Sequence, residues 1–199
     1  MAAEVLHLAY KSQPSTKMTE RIQQAISAGE IVIFPTDTVY AIGGDAFQAK
    51  VVQRLQGLER EPDKPLALYI GSMTELRLYT VPLLPRLRRA LERLLPGPSV
   101  VVLRATPAAP RAAVGRHAEI EVHYHSSRSY QIFYEAAGRP LVGFSLSLWD
   151  PQEILSQFSE KSDVIIFTEE PFKRDQMALI DFTQDPPVAR QGELPKGLL

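Results

Sequence analysis

The chain has 199 residues, with 22 Lys and Arg against 23 Asp and Glu and a formal net charge of -1. This length suits one compact domain with a sizeable core, and the charge balance gives no general attraction to polyanions. The absence of cysteine excludes disulfides, thiolate catalysis and cysteine-ligated zinc. No apolar run approaches the roughly 20 residues of a membrane span, and the N-terminus has no secretory signal pattern, so we expect a cytoplasmic protein.

The first part of the chain alternates between helical and strand patterns. Apolar residues at helical spacing predict a helix over residues 18–30 that stops at Gly29, and the β-branched run at 31–35 predicts a buried strand. The same reasoning predicts a helix at 48–59 and a second buried strand at 65–70. Such alternation is typical of α/β domains.

The second part begins with two consecutive helices. Ser72 followed by Glu75 is a capping-box pattern that predicts a helix at 72–79, and a leucine stripe starting at Leu84 predicts an amphipathic helix at 83–95. The elements together predict an α/β or α+β fold with a twisted open mixed β-sheet and flanking helices. The remaining predicted strands are 98–105, 118–125, 140–148, 163–167 and 178–182, and the remaining helices are 130–138 and 152–158.

The chain divides into three parts. We expect residues 1–15 to be an N-terminal extension or an edge strand, and residues 16–185 to form the folded domain. The tail at 186–199 is rich in Pro and Gly, so we expect it to be loosely packed.

Hydroxyl groups cluster where the first predicted strand ends, in PTDTVYAIGGD at residues 35–45. Ligands of α/β proteins usually bind at strand ends, and the hydroxyls of Thr36 and Thr38 can hydrogen-bond a small polar substrate. The alternative is a strand-end turn in which Asp37 and Thr38 satisfy local backbone groups. The pattern alone leaves both interpretations open.

The stretch GLEREPDKPLALYI at residues 57–70 places two cations, Arg60 and Lys64, before a predicted buried strand. Together with GEIVIFPTDTVYAIGGDAF, LLPGPSVVVL, GRPLVGFSLS and ALIDFTQDPPVARQGELP, it follows the order and spacing of the YrdC/YciO family. The chain resembles this family over residues 16–195, and PTDTVY and DKPL are the most specific pieces.

The resemblance implies a fold and a chemistry. The best-understood members are L-threonylcarbamoyl-AMP synthases, which convert threonine, bicarbonate and ATP to threonylcarbamoyl-AMP and pyrophosphate for modification of adenosine in tRNA. It further implies a YrdC-like sheet with a positively charged concave surface, and binding of RNA, whether tRNA, double-stranded RNA or the ribosome. The implied cofactors are ATP and magnesium if the chain is active, and none otherwise.

The family's contacts transfer to this sequence position by position, and no catalytic residue is among them because the chemistry needs no protein nucleophile. Cations are needed around the triphosphate, since the leaving pyrophosphate is strongly anionic. The resemblance assigns nucleotide and phosphate contacts to Arg60, Lys64 and Ser147, and contacts with a threonine-like substrate to Thr36, Thr38, His123 and Ser145.

Several positions depart from the family pattern. Leu58 stands for a lysine, His123 for an arginine that contacts the substrate carboxylate, Ser147 for an asparagine, and Met177 and Ala178 for a Ser-Thr pair. A lost charge-assisted contact costs roughly 1.5–3 kcal/mol, and histidine holds a carboxylate only when protonated. We therefore expect nucleotide or RNA binding with a weak or inactive synthase. Two alternatives stay open, an active synthase or enzyme with altered substrate, and a ribosome- or complex-associated binding module without nucleotide.

His123 and His125 stand two apart in a predicted strand and therefore share a face. This spacing suits metal ligation, but no third ligand is evident beside them. We expect no metal site, and an ordinary groove-facing or solvent-facing pair.

Arg86, Arg89 and Arg93 lie near one another on the predicted helix at 83–95. Such a row of cations can follow the phosphates of RNA, so these three residues are the RNA-binding candidates. The alternative is a solvated helix face in which Glu92 offsets part of the charge.

Overall fold

A computed structural model of the chain describes residues 2–58, 64–173 and 177–198. Arg60, a predicted phosphate contact, lies outside the described residues. The α-helices are α1 Thr16–Ala28, α2 Ala49–Leu58, α3 Met73–Tyr79, α4 Pro85–Leu94, α5 Arg128–Ala137 and α6 Pro151–Phe158. The strands are β1 Glu4–Leu8, β2 Val32–Pro35, β3 Tyr40–Asp45, β4 Ala67–Tyr69, β5 Val100–Arg104, β6 Glu119–His123, β7 Leu141–Ser145, β8 Val164–Thr168, β9 Leu179–Asp181 and β10 Val188–Gln191.

All the strands join one mixed sheet in the order β1-β8-β2-β3-β7-β4-β6-β5-β9-β10. Pairing is parallel between β1 and β8, β8 and β2, β4 and β6, and β5 and β9, and antiparallel elsewhere. The predicted α/β fold with a mixed sheet and flanking helices is confirmed. Within the described ranges, no helix is both long and apolar enough to cross a membrane.

Strand β2 shows how the sheet acquires helices on both faces. Successive side chains of a strand point to opposite faces. Val32 and Phe34 pack with α1 and α5, whereas Ile33 belongs to the larger core that includes residues of α2, α4 and α6. The core on the α1 and α5 side draws its strand residues from β1, β2, β3, β4, β7 and β8. Among the described residues it takes none from β5, β6, β9 or β10, so that core does not extend over this half of the face.

Local signals in the sequence place the helices where they were predicted. Gly29 ends α1 with a left-handed φ of 73°, which glycine adopts without steric cost. The Ser72 side chain accepts a hydrogen bond from the Glu75 backbone N–H and begins α3, as the capping-box pattern predicts. The leucine stripe of α4 is confirmed from Leu87 onward, but Leu84 precedes the helix and is exposed.

Two strands differ from the predictions. The segment after Pro35 is a tight turn followed at once by β3, a buried antiparallel partner of β2 and β7. Glycine weakens strand patterns, but here a Cβ on Gly143 of β7 would lie 2.0 Å from the Ile42 carbonyl oxygen, so glycine is required by close backbone approach. The tail expected to be loosely packed contains β10, which pairs with β9.

Candidate functional site

A cavity of about 520 Å³ lies over the half of the sheet that the α1 and α5 core leaves open. Its polar lining comes from Lys64 before β4, Glu121 and His123 on β6, and Ser145 and Ser147 at the end of β7. Four predicted contact residues, scattered over 84 positions of sequence, therefore meet in one cavity: Lys64, His123, Ser145 and Ser147.

The rest of the wall is largely apolar. Leu58, Met177 and Ala178, three positions where the sequence departs from the family pattern, all line the cavity. Further apolar lining comes from Phe144 and Phe158. Hydrocarbon at these positions offers no hydrogen bonds to a polar ligand, so the wall is suited to contact with a base or another flat apolar group.

The two predicted threonine hydroxyls have different surroundings. Thr36 is buried, and its Oγ1 donates to the Val39 carbonyl at 2.6 Å while accepting from the backbone N–H groups of Thr38 and Val39 at 3.3 Å each. The hydroxyl of Thr36 thus serves the turn, a role that the local-turn interpretation gave to Asp37 and Thr38. The Thr38 hydroxyl instead lies 3.9 Å from the sulfur of Met177, a residue of the cavity wall.

Asp37 bonds to a distant segment rather than to its own turn. Its carboxylate accepts hydrogen bonds from the backbone N–H groups of Ser126 and Ser127 and from the Ser126 hydroxyl. Burial acts to raise the pKa of Asp37, but His125 and these N–H groups outweigh it and lower the pKa to about 2. A charged Asp37 therefore ties the β2–β3 turn to the segment between β6 and α5.

His123 stacks on Tyr69, with ring centroids 4.4 Å apart, and both of its ring nitrogens face protein groups. Nε2 lies 3.1 Å from Glu121 Oε1, and Nδ1 lies 3.3 Å from Nε2 of His125. Both histidines are buried, His123 being 4% exposed and His125 2%, so the solvent-facing alternative is wrong, whereas His123 lines the cavity, as the groove-facing alternative predicts. His123 thus has no ring nitrogen left over for a substrate carboxylate in this arrangement.

Glu121 was not singled out in the sequence, although its spacing was informative. Residues 121, 123 and 125 alternate along one strand direction and so share a face. Burial acts to raise the pKa of Glu121, but the hydrogen bond and charge of His123, with help from Lys64 and Arg190, lower it. The cavity therefore contains a charged carboxylate, that of Glu121, beside the predicted contact residues.

Ser147 stands in an unusual backbone conformation. Its φ is 55°, in the left-handed region that costs most non-glycine residues about 1–2 kcal/mol. Asn and Asp populate this region several-fold more readily than other residues. The family's asparagine at this position therefore fits the backbone better than the serine of this chain, in addition to offering different hydrogen-bonding groups.

The RNA-binding candidates on α4 contact the C-terminal segment of the same chain. Arg86 forms an ion pair with Asp185, and Arg93 donates to the Gly197 carbonyl at 3.1 Å. Arg89 is exposed. Two of the three candidates thus bind protein groups, and the ion pair of Arg86 offsets one of the three positive charges.

Magnesium prefers several oxygen ligands, usually carboxylates together with ligand phosphates. Across residues 2–58, 64–173 and 177–198, no three His, Asp or Glu side chains are grouped closely enough to hold a metal ion. The implied magnesium therefore stays a prediction, and we derive no step through it.

Comparisons with known proteins bear on the family and the fold. The Sua5/YciO/YrdC family model, described as telomere recombination, matches residues 24–192. The chain is 28% identical over 178 residues to a threonylcarbamoyl-AMP synthase of Pyrococcus abyssi, covering 85% of this chain but 52% of that protein. It therefore spans about half the length of that relative.

Two solved structures share the fold. Escherichia coli YciO has a TM-score of 0.85 at 23% identity, covering 99% of this chain and 100% of that one. The crystal structure of P. abyssi Sua5 complexed with L-threonine has a TM-score of 0.81 at 24% identity, covering 93% of this chain and 56% of that one. The fold is thus found both in a protein of this chain's length and as part of a longer one.

Proposed function

The chain belongs to the Sua5/YciO/YrdC family, and from this premise we propose that its cavity binds a nucleotide such as ATP, with weak or no threonylcarbamoyl-AMP synthase activity. The observation that carries the proposal is the meeting of Lys64, Ser145 and Ser147 in one cavity. An ammonium and two hydroxyls supply donors for phosphate oxygens, and the apolar wall supplies contact for a base.

Weak synthesis is proposed because the amino-acid side of the chemistry lacks support. A threonine carboxylate needs a cation or several donors, yet His123 directs its nitrogens to Glu121 and His125. Glu121 also places a negative charge in the same cavity, which opposes a second carboxylate. Leu58, in place of a lysine, removes one more charge from the phosphate side.

The test is a calorimetric titration of ATP into the wild-type protein and two lysine variants. Lys64→Ala should weaken binding about tenfold to 100-fold, because a charge-assisted contact contributes roughly 1.5–3 kcal/mol. Lys17→Ala removes an equal charge from the exposed side of α1 and should leave the affinity unchanged. No binding to the wild type, or equal loss in both variants, would count against the cavity as a nucleotide site.

RNA binding, a protein or ribosomal partner and a cytoplasmic location stay predictions. The contacts of Arg86 and Arg93 with the C-terminal segment favour the nucleotide proposal over RNA binding by α4. Salt-dependent affinity for double-stranded RNA that falls when Arg86, Arg89 and Arg93 are neutralised together would restore the RNA interpretation.

A further inference from the structure

Four polar side chains form a connected row from the cavity to the β2–β3 turn. Glu121 Oε1 lies 3.1 Å from His123 Nε2, His123 Nδ1 lies 3.3 Å from His125 Nε2, and His125 Nδ1 lies 3.5 Å from Asp37 Oδ2. Glu121 and His123 line the cavity, whereas His125 and Asp37 are each 2% exposed. This row of side chains thus connects a ligand-accessible surface to a buried carboxylate.

The row of Glu121, His123, His125 and Asp37 needs more protons than two neutral histidines carry. It has three contacts, each of which needs one proton, but two neutral histidines carry only two N–H groups. Whichever tautomers are chosen, one contact lacks its proton. The geometry places that gap at the end near Asp37, where His125 Nδ1 is the buried side-chain polar atom of the described residues without a hydrogen-bond partner. One added proton fills all three contacts, and a second would set an N–H of His123 Nδ1 against an N–H of His125 Nε2, 3.3 Å away.

Two aromatic rings and a backbone carbonyl surround His125. The Tyr130 ring of α5 packs edge-on against His125 at 5.0 Å, and Tyr69 of β4 lies 6.2 Å away. Burial raises the pKa of Tyr130 well above its ordinary value, so this phenol stays neutral. The Gly97 carbonyl is a further acceptor that favours the protonated ring, whereas burial, the largest influence, lowers the pKa of His125.

Cations lie at both ends of this row of side chains. Lys64 and Arg190 act on Glu121, and the Lys173 ammonium lies 3.5 Å from the Ser126 hydroxyl that bonds Asp37. Both carboxylates have a lowered pKa, so both are charged at neutral pH. Protonation of the pair changes the sum of two carboxylates and the imidazoles from -2 to -1. That change is centred on His125, directly behind His123 of the cavity wall, and it favours an anionic ligand in the cavity.

We propose that His123 and His125 take up one shared proton, and that anion binding in the cavity is linked to this uptake, with His125 as a positioning residue that acts through His123. The linkage rests on the proposed function, since it takes the cavity ligand to be a phosphate compound. The shared proton does not rest on the proposed function, because it follows from the four side chains alone.

The proton count can be read from long-range proton–nitrogen NMR spectra of protein labelled in its histidines, between pH 4.5 and 8. The chain has four histidines. The two exposed ones, His7 and His117, are assigned by His7→Gln and His117→Gln. Nitrogens of His123 and His125 should report one proton gained by the pair as a unit. Two independent titrations, or a two-proton gain in the folded protein, would overturn the shared site.

The linkage is measured by calorimetry with inorganic pyrophosphate at pH 5.5 and pH 7.5, comparing His125→Gln with His7→Gln. Raising the pH from 5.5 to 7.5 should lower the affinity for pyrophosphate in both proteins. The factor by which it falls should be at least five times larger in the His7→Gln control than in His125→Gln. The comparison cancels the titration of pyrophosphate itself, and far-ultraviolet circular dichroism verifies that both variants are folded. Equal pH dependence would overturn the linkage. Absence of pyrophosphate binding in every protein would overturn the proposed function, while the NMR count still decides the shared proton.

Discussion

Asp37→Asn replaces a buried charge with a neutral group of the same shape, and the expected cost follows from the contacts of the carboxylate. In the wild type both oxygens accept hydrogen bonds, including those from the backbone N–H groups of Ser126 and Ser127. Asn keeps one acceptor but must direct its NH₂ group at a donor or away from the cluster. The turn between β2 and β3 would then lose its charged anchor to the segment before α5.

The magnitude comes from the pKa of Asp37, about 2 against a reference near 3.8. A pKa lowered by about 1.8 corresponds to about 2–3 kcal/mol of stability at neutral pH. Because the pKa is lowered in the folded protein, this contribution is complete above pH ~4 and is lost as the pH falls towards 2. The deficit of Asp37→Asn should therefore be present at pH 7 and should narrow as the pH falls below 4.

Urea unfolding monitored by circular dichroism, at several pH values between 3 and 7, measures the effect. The matched control is Asp150→Asn, where the exposed carboxylate begins α6 by accepting from the N–H groups of Gln152 and Glu153. Asn caps helices about as well as Asp, so this change should cost only a few tenths of a kcal/mol. A deficit for Asp37→Asn under about 0.5 kcal/mol at pH 7 would refute the assignment of Asp37 as a charged anchor.

Two further predictions concern backbone geometry. Gly143→Ala should destabilise by about 1–3 kcal/mol in urea unfolding, because its Cβ would lie 2.0 Å from the Ile42 carbonyl oxygen. Gly57→Ala, in α2 with nothing within 4 Å of the new Cβ, should instead be stabilising, and a loss there would undermine the steric argument. Ser147→Asn should raise the thermal midpoint, because Asn tolerates the φ of 55° better. The free energy of unfolding should rise by up to about 1 kcal/mol. An unchanged or lower midpoint would contradict that reading of the backbone.

The sequence predicted the elements whose signals are local. The stop at Gly29 and the cap at Ser72 each depend on a few neighbouring residues, and the structure has both. Strand β3 was missed because Gly43 and Gly44 weaken the strand pattern, and only tertiary packing explains them: a Cβ on Gly43 would lie 2.7 Å from the Val142 carbonyl oxygen of β7, and a Cβ on Gly44 would lie 2.6 Å from the Val51 side chain of α2. Strand β10 was missed because its residues have little burial of their own and depend on pairing with β9.

The candidate site shows the same division. The resemblance identified Lys64, Ser145 and Ser147, and the fold brings them to one cavity. It gave no indication that Asp37 would bond Ser126, 89 residues away. A contact between segments so far apart depends on the order of strands in the sheet, which no short pattern encodes.

The most direct test of the central claim is pyrophosphate release from ATP in the presence of threonine and bicarbonate, on the same protein preparation that is shown to bind ATP. The account predicts nucleotide binding without release above the rate measured when threonine is omitted. Threonine-dependent release at a rate typical of enzymes, about 1 per second or faster, would contradict it.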